Sequence, residues 1–185
     1  MAYPTLHTER LVLRPLSLDD LGELAPLHAE PSFWWYPYKR GWDRDETLAF
    51  LERQIAAYDD PGVAMSAVLT RDTGELAGWA GLSVPNLPTE ILPAVEVGWR
   101  LGERFRGGGI ATEAGAAWVR HGFETLHLDK IVSIYEPENR ASGAVMRRLG
   151  FEFENEYQHP RLGVRLHVFA LNRQAWLDRN TTRRG

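Results

Sequence analysis

The sequence contains no cysteine and little lysine. The absence of Cys among 185 residues excludes disulfides, thiolate nucleophiles and zinc–thiolate sites. The six histidines show no HExxH or other metal-ligand spacing, so we expect no metal. Lys39 and Lys130 are the only lysines, and this preference for arginine suggests a GC-rich bacterial genome.

The chain also lacks a positive net charge and a long apolar run. Its formal net charge is −4, which gives no broad basic surface for nucleic acid. No apolar run approaches the ~20 residues of a membrane span, and the N-terminus has no apolar signal-peptide region. With 44% hydrophobic residues and seven Trp, the composition is that of a folded globular domain. We therefore expect a cytoplasmic protein without nucleic-acid or membrane partners.

What the sequence does contain is a run of three glycines, Gly107 to Gly109, between a strand-like and a helix-like segment. Glycine loses the most conformational freedom on folding, so such a run favours a site where the backbone itself contacts a ligand. Main-chain N–H groups of the loop and of the helix start would bind phosphate or pyrophosphate. A flexible turn between strand and helix is the alternative interpretation.

The glycine run does not fit the common phosphate loops. Neither GxGxxG nor GxxxxGK[ST] occurs, and the residues instead read Arg106-x-x-Gly109-x-Ala111. No lysine and no clear carboxylate for Mg²⁺ lies beside the run. Both absences argue against an enzyme that acts on nucleotide phosphates.

Three segments in register resemble one known family, the GCN5-related N-acetyltransferases (GNAT), and within it the ribosomal-protein alanine/serine type. They read TERLVLRP at 8–15, RGGGIATEA at 106–114 and NRASGAVMRRLGF at 139–151. The resemblance covers roughly residues 5 to 178. It implies a single α/β domain over 5–178, followed by a polar tail over 179–185. The implied fold is a mostly antiparallel sheet of about seven strands, flanked by helices and splayed at the cofactor site.

The resemblance implies an acetyl-CoA-dependent N-acetyltransferase. The acetyl group would pass directly to an amine acceptor, a protein N-terminus or a small amine, within a ternary complex. A non-catalytic CoA-binding or regulatory module on the same fold is the alternative. By resemblance, the cofactor-binding residues are Trp99, Leu101, Arg106, Gly107, Gly108, Gly109, Ile110, Ala111, Thr112, Asn139 and Ser142.

Proton transfer needs further residues, because the incoming ammonium must lose a proton and the leaving thiolate must gain one. Many family members carry a Tyr proton donor seven residues after the Asn, but Met146 stands there in this sequence. Ser142 is the replacement donor we predict, and a local backbone contact is its alternative role. Glu96 is the predicted base, with a solvated strand residue as the alternative. His121 and His167 are further candidates for the base.

An aromatic cluster, Trp34-Trp35-Tyr36, is a candidate acceptor wall, since aromatic rings enclose cations and peptide ends. A core cluster or a dimer contact is the alternative, and a homodimer stays open.

Asn139 is also a candidate helix N-cap, and Asp43 with Glu46 forms a candidate capping box. Periodicity predicts strands over 8–16, 64–70, 75–84, 94–103, 130–135, 152–159 and 164–172, helices over 17–28, 110–126 and 139–149, and a loop over 85–93.

Overall fold

A computed structural model describes residues 3–59, 63–85, 94–159 and 162–182. Its eight strands form one sheet in the order β1-β2-β3-β4-β5-β6-β8-β7. The strands are β1 Leu6–His7, β2 Leu11–Pro15, β3 Met65–Thr70, β4 Leu76–Ser83, β5 Glu96–Leu101, β6 Lys130–Tyr135, β7 Glu152–Gln158 and β8 Arg165–Asn172. The helices are α1 Leu21–Ala29, α2 Trp35–Tyr38, α3 Arg44–Ala57, α4 Ile110–Glu124, α5 Arg140–Leu149 and α6 Arg173–Thr182.

The sheet separates two apolar cores. On one face α4 buries Trp118 and Phe123 in a cluster that also takes Val97 from β5. A second cluster takes Leu24 from α1 and Leu51 from α3, together with aromatic side chains that precede α3. Each fully buried large apolar side chain stabilises the fold by about 1.5–3 kcal/mol relative to exposure. One face of β5 therefore packs toward α4, and its other face is directed toward the side of α1 and α3.

The strands β5 and β6 run parallel and separate after a single registered pair. Within the described residues they share one registered pair, Glu96 with Val132, and the N–H of Val132 donates to Val95 O at 2.9 Å. Every other strand pair in the sheet is antiparallel. Past the pair, the Ser133 hydroxyl donates to Val97 O at 2.9 Å, so a side chain replaces a ladder bond. This opening confirms the predicted splay.

The observed elements depart from the predicted ones in a few places. The described sheet has eight strands rather than about seven, because the two-residue β1 pairs with β2. The strand predicted from residue 8 begins at Leu11, because Thr8 and Arg10 bond instead to the Glu113 carboxylate of α4. Residues 179–182 of the predicted tail continue α6, whose Trp176 packs against Phe123. Most of the predicted 85–93 loop, residues 86–93, lies outside the described residues.

Two predicted helix starts are present as expected. Asp43 and Glu46 form the reciprocal capping box of α3. In α5, Asn139 is the N-cap, and Gly150 closes the helix in the left-handed conformation. Over the described ranges, no helix combines the length and apolarity needed to cross a bilayer.

A buried histidine holds the second core together. His28 has 0% exposure, and its Nδ1 lies 3.1 Å from the Thr47 hydroxyl. Its Nε2 accepts a hydrogen bond from the Trp79 indole N–H at 3.2 Å, which assigns the ring proton to Nδ1. Burial, followed by the nearby positive charge of Arg100, lowers the pKa of His28 to about 3. The imidazole is therefore a neutral structural bridge, not a titrating catalyst.

We expect His28 to stay neutral in the folded protein well below its ordinary pKa of 6.5. Between the two pKa values only the unfolded chain binds the proton. The free energy of unfolding therefore falls as pH falls, by up to about 1.4 kcal/mol per pH unit from this group. Nitrogen-15 NMR of the imidazole should show an Nδ1-protonated ring with no titration above about pH 4.5.

The pH dependence of the free energy of unfolding also tests whether His28 stays neutral. In the His28→Gln variant, unfolding free energies should depend on pH with a slope lower by about one proton between roughly pH 4.5 and 6. A titration midpoint near 6.5 for His28 in the folded protein would contradict the assignment.

Candidate active site

The glycine loop joins β5 to α4 and leaves its main chain uncovered. Gly107 and Gly109 both have φ of +82°, in the left-handed region that favours glycine. Gly109 is the N-cap of α4, and the first N–H to bond back within the helix is that of Glu113, to Gly109 O at 3.0 Å. The N–H groups of residues 110–112 therefore have no partner within the helix, as expected for its first turn. The arrangement presents several donors and the positive helix end to one point.

A polar network fixes this loop from the side opposite the groove. Arg10 donates from Nη1 to Gly108 O at 2.8 Å and from Nε to the Glu113 carboxylate at 2.6 Å. The Thr8 hydroxyl donates to the other Glu113 oxygen at 2.6 Å. Burial raises the pKa of Glu113, but the bonds from Thr8 and Arg10 outweigh it and leave the pKa below its usual value. The first two motif segments thus meet in space.

A groove of about 730 Å³ runs from the glycine loop toward the gap between β5 and β6. All the cofactor residues predicted by resemblance line it except Gly108, whose carbonyl is bound by Arg10. One end offers main-chain N–H groups, and the walls are largely apolar, with Phe105 and Val145 among them. This combination fits the pyrophosphate and the long arm of coenzyme A.

Two arginines tie the aromatic segment 32–36 to β5 and to the glycine loop. Arg106 donates from Nη2 to Ser32 O at 2.9 Å and from Nε to Leu101 O at 3.0 Å. Arg100 donates to Phe33 O at 2.9 Å and to Tyr36 O at 2.5 Å. The Arg106 side chain lines the groove, and these two main-chain carbonyls already accept its hydrogen bonds. Its structural role is to hold the segment against the loop.

A second cavity, of about 280 Å³, lies next to the groove and contains two carboxylates, Glu96 and Glu136. The two cavities have lining residues in common, so they meet at one place. These shared residues are Tyr36, Trp99, Arg100, Asn139 and Ser142. A group bound in the groove and a group bound in the second cavity would make contact there.

The residues at the start of α5 shape this junction. Asn139 Oδ1 accepts the Ser142 N–H at 3.2 Å, so the predicted N-cap role is present. Ser142 itself lies half-buried, and its hydroxyl has no hydrogen-bond partner within the described part of the chain. Met146, one turn further on, is 1% exposed and lines the second cavity. The hydroxyls of Ser142 and Tyr36 are thus the two at the junction.

Glu96 lies in the second cavity with a perturbed acidity. Burial raises the pKa of its carboxyl to about 7, against the opposing effects of a hydrogen bond from the Ile134 N–H and the charge of Arg100. A carboxylate with this pKa is matched to proton transfer near neutral pH. The other predicted bases lie elsewhere: His121 packs against Trp118, and His167 is 3.0 Å from Glu156, with neither lining the two cavities.

The predicted acceptor wall divides between the cavities. Trp34 and Tyr36 line the second cavity, whereas Trp35 is 49% exposed and lines the groove. Glu136, which lines the second cavity, was not among the predicted site residues. Its only signal in the sequence is its place between a strand and an Asn-capped helix. Over the described ranges, no group of three or more His, Cys, Asp or Glu residues is arranged to hold a metal ion.

Comparisons with known proteins agree with this geometry. A family model described as an acetyltransferase (GNAT) domain matches residues 10–152. The [ribosomal protein uS5]-alanine N-acetyltransferase of Escherichia coli (strain K12) is 30% identical over 160 residues, covering 80% of this chain and 78% of the relative. The FsC-acetyl coenzyme A-N(2)-transacetylase of Aspergillus fumigatus is 30% identical over 190 residues, covering 95% and 79%. A solved acetyltransferase from Agrobacterium tumefaciens superposes with a TM-score of 0.78 at 30% identity, covering 93% and 96%.

A matched pair of glycine substitutions tests the loop. Gly109→Val should abolish acetyl-CoA binding, because a branched side chain resists the left-handed φ and its Cβ would lie 3.4 Å from Nη2 of Arg10, the side chain that holds the loop. Gly74→Val in the β3–β4 turn is the control, since Gly74 has φ of +72° and no atom within 4 Å of the position that a Cβ would take. Both variants should lose stability through backbone strain, but only the first should lose binding in calorimetry. A folded Gly109→Val protein with unchanged affinity would refute the loop assignment.

Proposed function

The chain belongs to the GNAT acetyltransferase family and is an N-acetyltransferase, and we propose that Glu96 and Ser142 carry its proton transfers at the junction of the two cavities. One observation carries the proposal. The groove that fits coenzyme A and the cavity that holds a carboxylate of pKa about 7 share the lining residues at the β5–β6 opening. Direct transfer in a ternary complex needs such a junction.

Binding and orientation fall to the main chain and to apolar walls. The N–H groups of the glycine loop and of the first turn of α4 bind the pyrophosphate, and the walls of the groove contact the arm. When bound, acetyl-CoA supplies a thioester, whose carbonyl carbon the amine attacks. Holding both reactants at one junction converts a bimolecular step into an effectively unimolecular one.

The proton balance assigns one role to each polar side chain. An incoming ammonium gives one proton to Glu96, whose carboxylate the Ile134 N–H orients, and the neutral amine then forms the C–N bond. As the C–S bond breaks, the sulfur gains a proton through the Ser142 hydroxyl, which is replenished by the second proton of the amine. One proton in total passes to solvent. No covalent acetyl-enzyme is needed, because a neutral amine is itself a good nucleophile.

The acceptor is a primary amine in this proposal, either a protein N-terminus or a small molecule. Two relatives of equal identity carry names for different acceptors, the alanine of a ribosomal protein in one and FsC in the other. Overall similarity therefore does not choose between them. Likeness to an enzyme that acts on a ribosomal protein supports a cytoplasmic, bacterial enzyme. A homodimer stays a prediction. The relatives give no support to the alternative of a non-catalytic CoA-binding module.

Glu96 should impose a pH dependence on turnover. With both substrates saturating, kcat should rise with pH and level off above about 7, because the carboxyl must be ionised to take the proton. Glu96→Gln should lower kcat by about 10²- to 10⁴-fold and remove this inflection. Calorimetry should give an unchanged Kd for acetyl-CoA in the variant. Wild-type turnover by Glu96→Gln, with chemistry rate-limiting, would eliminate Glu96 as the base.

Ser142→Ala should lower kcat more than it raises KM for acetyl-CoA. Negative charge develops on sulfur only as the C–S bond breaks, so the donor stabilises the transition state and not the ground state. A thiolate leaves readily, so we expect a loss of about ten- to a hundredfold, at or below the low end for general acid catalysis. Tyr36→Phe is the comparison, since that hydroxyl also lies at the junction. A loss of kcat in Tyr36→Phe but not in Ser142→Ala would transfer the role to Tyr36.

A further inference from the structure

One buried carboxylate in the second cavity has no part in the proposed proton transfers. Glu136 directly follows β6, is 6% exposed, and lines the second cavity. Its Oε2 lies 3.3 Å from the Lys39 ammonium, but its Oε1 is buried and has no hydrogen-bond partner within the described part of the chain. A buried carboxylate oxygen without a donor costs free energy, because burial removes its water and supplies no other hydrogen-bond donor. An unpaired acceptor in the wall of a cavity indicates that a ligand supplies the donor.

Lys39 does not satisfy that oxygen. The lysine side chain is 44% exposed, and its ammonium also lies 3.9 Å from the centre of the Tyr36 ring. It therefore stands at the rim and neutralises one side of the carboxylate only. Arg100, which lines the cavity, donates instead to the carbonyls of Phe33 and Tyr36. Within the described residues, no cation or N–H group pairs with Glu136 Oε1.

Glu136 and the proposed base, Glu96, stand at different positions along the two parallel strands. Glu96 pairs with Val132 in the parallel register, and Glu136 lies four residues beyond Val132 along the chain. At about 3.3 Å per residue, Glu136 lies roughly 13 Å further than Glu96 along the strand direction. Both side chains nevertheless line the same cavity. A ligand that touched both carboxylates would have donors at two points, one at the reacting nitrogen and one further along.

We propose that Glu136 is an acceptor-binding residue, and that the enzyme selects amines carrying a second N–H donor, which bonds to Glu136 Oε1 while the first nitrogen is acetylated. The inference rests on the proposed function. The second donor is either an ammonium, as in a short diamine, or an amide N–H, as in an aminoacyl amide. The aromatic walls, with Trp34, Trp79 and Tyr135, enclose the segment between the two nitrogens. A monoamine without a second donor leaves the carboxylate oxygen unpaired.

Paired acceptors test the proposal by thiol release under saturating acetyl-CoA. One pair is 1,3-diaminopropane against propylamine, and the other is alanine N-methylamide against alanine methyl ester. The wild type should prefer the member with the second N–H in at least one pair, by about ten- to a hundredfold in kcat/KM, the effect of a buried charge-assisted hydrogen bond. Glu136→Leu should abolish the preference by lowering kcat/KM for the better member toward that of the poorer one.

Two further variants sharpen the result. Glu138→Gln is the matched control, because Glu138 is exposed two residues away, and it should keep the wild-type preference. Lys39→Met distinguishes the two donor types. If the second donor is an ammonium, removal of the competing lysine charge should strengthen the diamine preference. If it is an amide N–H, the alanine amide preference should change little.

The proposal is overturned if the wild type turns over both members of each pair equally, or if Glu136→Leu keeps the preference. That result differs from a failure of the proposed function, in which no amine releases thiol although acetyl-CoA still binds. A direct binding measurement gives a second readout. Calorimetric titration of the CoA-bound protein with 1,3-diaminopropane and with alanine N-methylamide should show binding of the preferred acceptor that is lost in Glu136→Leu. Equal binding by the wild type and this variant would also overturn the proposal.

Discussion

The early parting of β5 and β6 is the constraint on which the rest of the structure depends. A parallel pair normally continues its ladder, but here the register ends after Glu96 and Val132. The next polar groups are satisfied by side chains, with Ser133 donating to Val97 O and the Ile134 N–H reaching the Glu96 carboxylate. The opening therefore frees the Ile134 N–H to lower the pKa of Glu96, while burial in the cavity raises it to about 7. A fully paired strand would leave Glu96 without that donor and the groove without its inner end.

The two sides of the site are held together by arginine side chains bound to main-chain carbonyls. Arg10 fixes the glycine loop, while Arg100 and Arg106 fix the aromatic segment 32–36 against β5. Main-chain carbonyls in loops would otherwise need water, and each buried one left unpaired is costly. These bonds therefore stabilise loops that carry function. They also couple the cofactor groove to segment 32–36, since Arg106 at the start of the glycine loop donates to Leu101 O of β5 and to Ser32 O.

Short motifs, capping residues and strand periodicity in the sequence predicted the parts of the fold and site that depend on residues close together in the chain. The glycine run, the Asn139 cap and the β6 strand appear where spacing and capping chemistry place them. Contacts between distant segments were not predictable in this way. The partnership of Arg10 with Glu113 needed the fold, although both residues stand in motif segments. Glu136 carries no periodic signal, because it is a single buried carboxylate placed after a strand.

The positions of coenzyme A and of its acetyl group decide whether the two cavities work as one active site. A crystal structure of the protein with acetyl-CoA and a competitive, non-reactive acceptor analogue is the decisive measurement. We predict the pyrophosphate on the N–H groups of residues 107–112, the arm between β5 and β6, and the acetyl group beside Ser142 in the cavity that holds Glu96. A pyrophosphate bound away from the glycine loop, or an acetyl group directed away from the Glu96 cavity, would contradict the account.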